Sequence, residues 1–427
     1  MKNILLRRRA RQAKASPLRI AMVGTRGVPA QYGGFETAVE EIGQRLVSQG
    51  AEVTVYCRNA SGQRSREYLG MTLVHLPALR FKAAETLSHT ALSVLHLLVG
   101  RRYDAIFMFN AANAPFIPLC RLRRTPVAVH VDGLEWRRTK WGGKGRKYYR
   151  KAEELAVRWA DSLIADATGI ADYYSSEFGA GTTLLTYGAP VLPPQSSHKL
   201  QEHGLEADSF HLVVARFEPE NHVDVILEGY IRSEATLPLV VVGSAPYAEE
   251  HSARIRALAE QDSRVRLLGG VWDQELLNQL YGHARTYLHG HSVGGTNPSL
   301  LRAMGAGTAV IAYDVVFNRE VLGKGSGAYF RDAATVVGPL EALDADPQLA
   351  ADRGLKLQER ARETYRWDEV AAGYLQLAKS LVSGTSTRNP SARRRPESAW
   401  SAEPVIEPSP VAVPVKGRQL AGNQRKE

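Results

Sequence analysis

Short apolar runs alternate with segments of helical periodicity along most of the chain. The pattern predicts a first series of β-strands at residues 18–23, 52–56, 72–76, 104–109, 127–131, 162–165 and 183–186. It predicts a second series at residues 211–215, 238–242, 265–268, 286–288 and 309–312. Helices or loops separate the strands in both series. This alternation indicates parallel sheets with helices on both faces.

The two series predict an α/β protein with two Rossmann-like, doubly wound domains in tandem. Proline-rich residues 188–198 interrupt the alternation, as expected of a connection between domains. The predicted units are a basic disordered arm (1–16), an N-terminal domain (17–190), a linker (191–208), a C-terminal domain (209–365), a closing helix (366–383) and a disordered tail (384–427).

Charge is distributed unevenly over a composition typical of soluble proteins. The net charge is +10, of which residues 1–190 contribute +13 and residues 191–427 contribute −3. A basic half is typical of proteins that meet nucleic acid, an anionic membrane or a phosphorylated substrate. The two cysteines cannot form a disulfide framework, which favours a reducing cytoplasm.

Membrane association, if present, is expected to be peripheral. A spanning helix needs about 20 consecutive apolar residues. The segment nearest to this requirement, residues 84–100, is interrupted by Glu85, His89 and His96.

The most informative stretch is residues 289–307, which reads as a strand end, a glycine turn and a short helix. Thr296 or Asn297 can cap a helix with Pro298 at its first position, and Gly307 can end it. Free amides at such a helix start favour a phosphate or diphosphate. The predicted diphosphate contacts here are Gly295, Thr296 and the amides of Asn297, Ser299 and Leu300. An ordinary strand-to-helix turn is the alternative.

Two further groups are candidates for the same diphosphate. Gly33 and Gly34 end a long loop after the first strand, where a side chain would obstruct a phosphate. This loop does not fit the dinucleotide pattern G-x-G-x-x-G. Arg216 follows a predicted strand, and guanidinium pairs with phosphate in a bidentate way. A surface arginine at a strand end is the alternative.

Residues 24–37 (GTRGVPAQYGGFET), 131–138 (VDGLEWRR) and 294–299 (GGTNPS) together resemble the GT-B glycosyltransferases. The resemblance is to retaining glycosyltransferase family 4, in its rhamnosyltransferase-like subgroup, and covers about residues 18–382. It implies two domains facing a central cleft, with a nucleotide-sugar donor held mainly by the C-terminal domain and the acceptor by the N-terminal domain. It implies no metal and no other cofactor.

The chain departs from this family at three positions. Asn221 stands where many members carry a phosphate-binding lysine, and Gly294 and Arg302 replace a pair of glutamates. The resemblance therefore places donor sugar or ribose contacts at Asn221, Gly294 and Arg302. Either Arg302 itself binds phosphate or ribose oxygens in a modified site, or the site is impaired.

The residues predicted to act in catalysis are Asp132, Arg216 and Arg302. Asp132 lies where many relatives carry a histidine and is expected to contact the transferred sugar or the acceptor. A turn residue before Gly133 is the alternative.

Residues 135–151 combine eight cations with two tryptophans and two tyrosines. Such a segment can contact anionic lipid headgroups near a lipid-linked acceptor. The predicted acceptor or membrane contacts are Trp136, Arg137, Arg138, Lys140 and Trp141. Nucleic acid and a solvated helix face are the alternatives, although no recognised nucleic-acid module is present.

Two apparent metal motifs have simpler explanations. Asp344 and Asp346 spell D-x-D, but they precede Pro347 and a helical stretch, where helix capping is expected. His289 and His291 lack an evident third ligand.

We therefore expect a cytoplasmic, peripheral, metal-independent transferase at the inner face of the membrane. It would move a hexose or deoxyhexose, with rhamnose as the first expectation, from a nucleotide diphosphate to a lipid-linked saccharide in polysaccharide synthesis. The alternatives are a nucleotide-sugar epimerase of GT-B fold and a non-catalytic nucleotide-sugar-binding protein or partner subunit.

Overall fold

The computed structural model describes residues 16–30, 33–59, 65–79, 84–131, 133–244, 249–395 and 400. Its first sheet has eight strands in the order β3-β4-β2-β1-β5-β6-β7-β8, and only the β3–β4 pair is antiparallel. These strands are β1 Arg19–Val23, β2 Glu52–Arg58, β3 Glu67–Tyr68, β4 Met71–Leu76, β5 Ala105–Phe109, β6 Val127–His130, β7 Ser162–Ala165 and β8 Thr183–Leu184.

The second sheet has six parallel strands in the order β11-β10-β9-β12-β13-β14. These are β9 His211–Val214, β10 Leu239–Val242, β11 Val265–Gly269, β12 Thr286–His289, β13 Ala309–Tyr313 and β14 Ala328–Phe330. Both parallel sheets predicted from the sequence are confirmed. The short strands β3 and β14 were missed, because two or three residues carry too little periodicity.

Helices cover both sheets and connect successive strands. They are α1 Gly34–Ser48, α2 Glu85–Val99, α3 Ile117–Cys120, α4 Gly143–Trp159, α5 Thr168–Phe178, α6 His198–Glu202, α7 Val223–Ile231, α8 Glu249–Ala259, α9 Gln274–His283, α10 Pro298–Ala306, α11 Val316–Leu322, α12 Ala333–Ala345, α13 Pro347–Thr364 and α14 Trp367–Val382. Four 3-10 turns add to them: Ala111–Phe116, Arg121–Arg123, Glu135–Arg137 and Pro219–Asn221.

The strand centres are apolar and buried, as expected of a parallel sheet covered on both faces. In β5 and β6 every residue is buried, and in β12 the polar Thr286 and His289 are buried as well. Each sheet is therefore packed between two layers of helices. Loops at the carboxyl ends of the strands are thereby left to form sites, as in other open α/β sheets.

The closing helix was predicted at residues 366–383 and is observed as α14, which returns to the N-terminal domain. Tyr374 packs edge-on against Phe107 of β5, with ring centroids 5.0 Å apart. The Tyr374 hydroxyl also lies 2.9 Å from His130 Nδ1 at the end of β6. The last of the described helices therefore completes the core of the first domain.

Two predicted irregular segments contain ordered structure. The linker at residues 191–208 includes α6, whose Leu200 is fully buried. The tail predicted to be disordered from residue 384 instead lies along the N-terminal domain as far as residue 395. There, Arg394 pairs with the buried Glu153 at 2.6 Å, and Thr387 donates its amide to the Asp161 carbonyl at 2.8 Å. Residues 1–15 and 401–427 lie outside the described residues.

Candidate active site between the two domains

Helix α10 begins at a capped glycine turn, as the sequence predicted. Asn297 is the N-cap, and its Oδ1 accepts hydrogen bonds from the Ser299 amide at 3.0 Å and the Ser299 hydroxyl at 2.8 Å. Pro298 occupies the first turn, and Gly307 ends the helix at φ 80°. The Ser299 amide thus has an internal partner, so a bound phosphate would have to compete with Asn297 for it.

A chain of polar side chains joins this cap to strand β12. The Tyr287 hydroxyl donates to Ser299 Oγ at 3.0 Å and lies 3.1 Å from His289 Nδ1. His291 stacks on His289 with ring centroids 4.5 Å apart. Burial lowers the pKa of His289 to about 3, so the ring is neutral at physiological pH. The interior of the sheet thereby holds the start of α10 in place.

The glycine turn faces the N-terminal domain. A Cβ on Gly295 would overlap Asp166 Oδ1, and the Thr296 hydroxyl donates to the Asp166 carbonyl at 2.6 Å. A Cβ on Gly34 would lie 3.3 Å from Pro298 Cγ. The start of α10 therefore lies at the junction of the two domains. Sequence reasoning missed Asp166, although its position directly after β7 was a usable signal.

Gly294 lies at this junction, and Gly33 lies beside it, next to Gly34. A Cβ on Gly133 would be 2.8 Å from the Gly294 carbonyl, so Gly294 packs against the N-terminal domain. Gly33 has φ 126°, which favours glycine, and caps α1 next to Glu36. Asp132, adjacent to Gly133, lies outside the described residues.

Arg216 follows β9 at the carboxyl edge of the second sheet, as predicted. Its side chain is 39% exposed, and Nη1 lies 3.3 Å from Glu218 Oε1. Asn221 is 1% exposed and donates its side-chain amide to the Arg216 carbonyl at 2.8 Å. Asn221 therefore supports the loop that presents Arg216, and its predicted contact with the donor sugar stays a prediction.

Arg302 is directed toward the neighbouring helix α9. Its Nε donates to Asn278 Oδ1 at 3.1 Å and its Nη2 to Gln274 Oε1 at 3.0 Å. Burial lowers the pKa of its guanidinium, which nevertheless remains charged at neutral pH. The side-chain amides of Asn278 and Gln274 accept three hydrogen bonds from the Arg302 guanidinium. The same N–H groups would be needed for the predicted contact with the ribose or for a catalytic role. That role stays a prediction.

An ion-pair cluster links the domains beside the turn. Arg138 of the N-terminal domain pairs with Glu135, and its Nη1 lies 3.4 Å from Glu220 Oε1 of the C-terminal domain. Lys140 pairs with Glu135 at 2.8 Å. Burial would raise the pKa of Glu135, but Arg138 and Lys140 outweigh it and hold the pKa below its ordinary value. The cluster therefore holds the two domains together through charges.

The remaining predicted acceptor or membrane residues are held within the N-terminal domain. The Trp141 indole donates to Glu135 Oε1 at 3.2 Å, and the Trp136 indole donates to the Tyr173 hydroxyl at 3.2 Å. Arg137 lies over the Trp136 ring, 5.3 Å from its centroid. Their contact with an acceptor or a membrane stays a prediction.

The described part of the chain contains no group of three side chains that could hold a metal ion. Asp346 caps α13 by accepting from the Leu349 amide at 2.9 Å, which confirms the capping interpretation. Asp344 instead bonds to His211, with the side chains 3.0 Å apart. None of the described helices is long and apolar enough to cross a membrane.

Two tandem parallel sheets with a helix start at their junction define a GT-B protein. Residues 197–341 match the family described as glycosyl transferases group 1. Residues 18–190 match a family described as domain of unknown function (DUF1972).

Two curated relatives align with parts or most of the chain. The chain is 23% identical over 409 residues to alpha-maltose-1-phosphate synthase of Mycolicibacterium smegmatis, covering 85% of this chain and all of the relative. It is 25% identical over 208 residues to O-antigen chain mannosyltransferase B of Escherichia coli, covering 45% of this chain and 51% of the relative.

Solved structures share the fold. Sucrose-phosphate synthase from Thermosynechococcus elongatus aligns with a TM-score of 0.73 at 20% identity, covering 86% of this chain and 99% of that structure. Anabaena HepE in complex with UDP and glucose aligns with a TM-score of 0.66 at 16% identity, covering 86% of this chain and all of that structure.

Proposed function

We propose that the protein is a retaining enzyme of glycosyltransferase family 4 that transfers a hexose or deoxyhexose from a nucleotide diphosphate. Rhamnose is the sugar that we propose first. The observation that carries this proposal is the start of α10 at the domain junction, with Gly34 opposite Pro298. A helix start between two domains suits a diphosphate leaving group. The solved complexes of HepE with UDP and with UDP-glucose support a nucleotide-sugar donor.

The proposed chemistry needs few protein groups. The bond between the anomeric carbon and the donor phosphate oxygen breaks, and a bond to an acceptor hydroxyl oxygen forms on the same face. The hydroxyl proton passes to the departing phosphate. Arg216 and the amides at the start of α10 stabilise the negative charge that develops there, as fixed donors do in a cleft that excludes water. The step needs no metal.

The proposed acceptor is a saccharide attached to a lipid at the cytoplasmic face of the membrane. The N-terminal domain supports it through its charge of +13 over residues 1–190. The side chains expected to touch the acceptor are Asp132, Trp136, Arg137, Arg138, Lys140 and Trp141.

The test is thermal shift of the full chain with UDP, GDP and dTDP sugars, followed by NMR of the product. We expect one sugar nucleotide to raise the melting temperature, and the product to keep the donor's anomeric configuration. Inversion would contradict a retaining enzyme, and no stabilisation by any of the nucleotides would contradict the donor site.

A non-catalytic nucleotide-sugar-binding protein is the second candidate. The observation that favours it is the engagement of Arg302 by Gln274 and Asn278, since the family's second glutamate is replaced at this position. Donor binding without turnover, against acceptors that differ in sugar and in lipid, would support this candidate over the transferase.

A further inference from the structure

Helix α2 is apolar on the face that it turns to solvent. Residues 86–99 contain no Asp, Glu, Lys or Arg. Leu92, Leu95 and Val99 lie at positions i, i+3 and i+7, and they are 37%, 52% and 84% exposed. The opposite face of the helix is buried in the core. Contiguous exposed apolar side chains of this kind are typical of interaction surfaces.

The adjoining segment of the chain continues this apolar surface. Leu119 of α3 is 38% exposed and Leu122 of the following 3-10 turn is 72% exposed. Arg123 ties this turn to the end of α2 by donating from Nη1 to the Leu97 carbonyl at 3.0 Å and the Gly100 carbonyl at 2.7 Å. We call the five exposed residues the apolar ridge: Leu92, Leu95, Val99, Leu119 and Leu122.

A cavity lined with arginines lies beside the ridge. It has a volume of about 680 Å³ and lies at the amino ends of β5, β6 and β7. Its lining contains two aspartates, Asp104 and Asp161, and five arginines. The arginines are Arg19, Arg102, Arg121, Arg123 and Arg124. Arg19 and Arg121 pair with these aspartates. Arg102 and Arg124 have no hydrogen-bond or ion-pair partner for their side chains among the described residues.

We propose that the apolar ridge and the arginine cavity form one docking surface for an anionic lipid bilayer. The ridge enters the boundary between headgroups and acyl chains, as the apolar face of an interfacial helix does. Arg102 and Arg124 bind lipid phosphate, for which the guanidinium fork is suited. The inference deepens the proposed function by naming the surface that meets the membrane, and this surface is separate from residues 136–141.

Helix α2 connects this surface to the first glycine loop. Glu85 at its first residue pairs with Arg58 at 3.0 Å and with Arg26 of the first glycine loop at 3.9 Å. The helix therefore begins beside the first glycine loop, at the carboxyl ends of β1 and β2, and ends beside the cavity at the amino ends of β5, β6 and β7.

Charge favours a membrane over a second copy of the chain. A two-fold dimer through this surface would bring the same arginines of two copies toward each other. Such like charges repel, whereas a bilayer that contains phosphatidylglycerol is complementary to them.

The test is flotation of the full chain with vesicles of phosphatidylcholine, with and without phosphatidylglycerol. We expect Leu95→Ser/Val99→Ser/Leu122→Ser to lower the bound fraction about tenfold on anionic vesicles. We expect Arg102→Gln/Arg124→Gln to abolish the preference for anionic lipid, with a similar loss of about tenfold. These side chains are exposed, so thermal unfolding should match the parent protein.

The matched controls lie in the other domain and on the competing basic segment. Leu355→Ser and Lys356→Gln alter an exposed leucine, at 62%, and an exposed lysine on α13, and both should float like the parent. Lys144→Gln/Lys147→Gln alters α4 and should also have little effect. If this α4 variant lost binding and the ridge variant kept it, the docking surface would be misplaced.

Two other outcomes would overturn the proposal. One is a parent protein that does not float with anionic vesicles. The other is a ridge variant that floats normally but changes from dimer to monomer in light scattering, which would make a second copy the occupant. Nucleotide-sugar binding, measured on the same variants by thermal shift, should be unchanged. Loss of membrane binding is thereby distinguished from failure of the donor site.

Discussion

Gly295 and Asp166 touch across the two domains, with no room between them for a Cβ atom. Gly295→Ala should therefore push the glycine turn away from the N-terminal domain and weaken nucleotide-sugar binding about tenfold, because the start of α10 moves relative to Gly34. Isothermal titration measures the loss. Gly338→Ala is the control, since nothing lies within 4 Å of a Cβ there.

The double variant Gly295→Ala/Asp166→Ala separates the contact from other effects. Removing the carboxylate makes room for the new methyl group, so we expect donor affinity to recover toward that of Asp166→Ala alone. An additive loss in the double variant would show that the Gly295 backbone acts by another route.

Arg216 should matter for the diphosphate and not for the nucleoside. Arg216→Ala is expected to weaken binding of a nucleoside diphosphate by about 2 kcal/mol, because one charge-assisted contact is lost. Nucleoside binding should change little. The comparison uses isothermal titration, with Lys356→Ala as a control cation remote from the cleft. Equal losses for both ligands would remove the proposed role.

Arg302 tests whether the site is modified or impaired. Arg302→Leu should lower the free energy of unfolding by about 1–2 kcal/mol, because Asn278 loses its charged donor. Arg362→Leu, which breaks an exposed pair with Glu359, should cost less than about 1 kcal/mol. If donor affinity fell in the Arg302 variant while chemical unfolding stayed unchanged, Arg302 would act on the ligand.

The ion-pair cluster around Arg138 should make the free energy of unfolding decrease at acidic pH. The pKa values of Glu135 and Glu220 are held below the ordinary value of 4.5, against burial that would raise them. Their contribution is therefore present above pH 4.5 and is lost as the pH falls through the lower folded-state values.

Arg138→Gln should consequently lower the unfolding free energy by about 2 kcal/mol at pH 7, with Lys140 still compensating Glu135. The difference from the parent protein should shrink below pH 4.5, as urea unfolding at several pH values would reveal. Arg137→Gln is the matched control, because Arg137 lies over Trp136. A difference independent of pH would rule out the ionic origin.

Local signals gave the fold and part of the site. The strands were predictable because a buried parallel strand is a continuous apolar run, and the cap was predictable because Asn297, Pro298 and Gly307 each suit one position of a helix. The contact between Gly295 and Asp166 was not, since it depends on how two separately predicted domains face each other.

The partners of the arginine side chains could not be predicted from the sequence either. Arg302 reaches α9 only because of the rotation of α10, which no local pattern fixes. The tail has the composition of a disordered segment, yet Arg394 finds the buried Glu153 and is held beside it. Isolated ion pairs of this kind leave no periodicity in the chain.

Helix α14 and the tail make the first domain dependent on C-terminal residues for its folding. The first sheet is synthesised early, but Tyr374 and Arg394 reach it only after the second sheet has also been synthesised. A fragment that stops at residue 190 would expose the apolar seat of α14 and leave Glu153 without its cation. The two domains therefore cannot be separated at the linker without damaging the first, and any dissection of the protein must carry its C-terminal residues along.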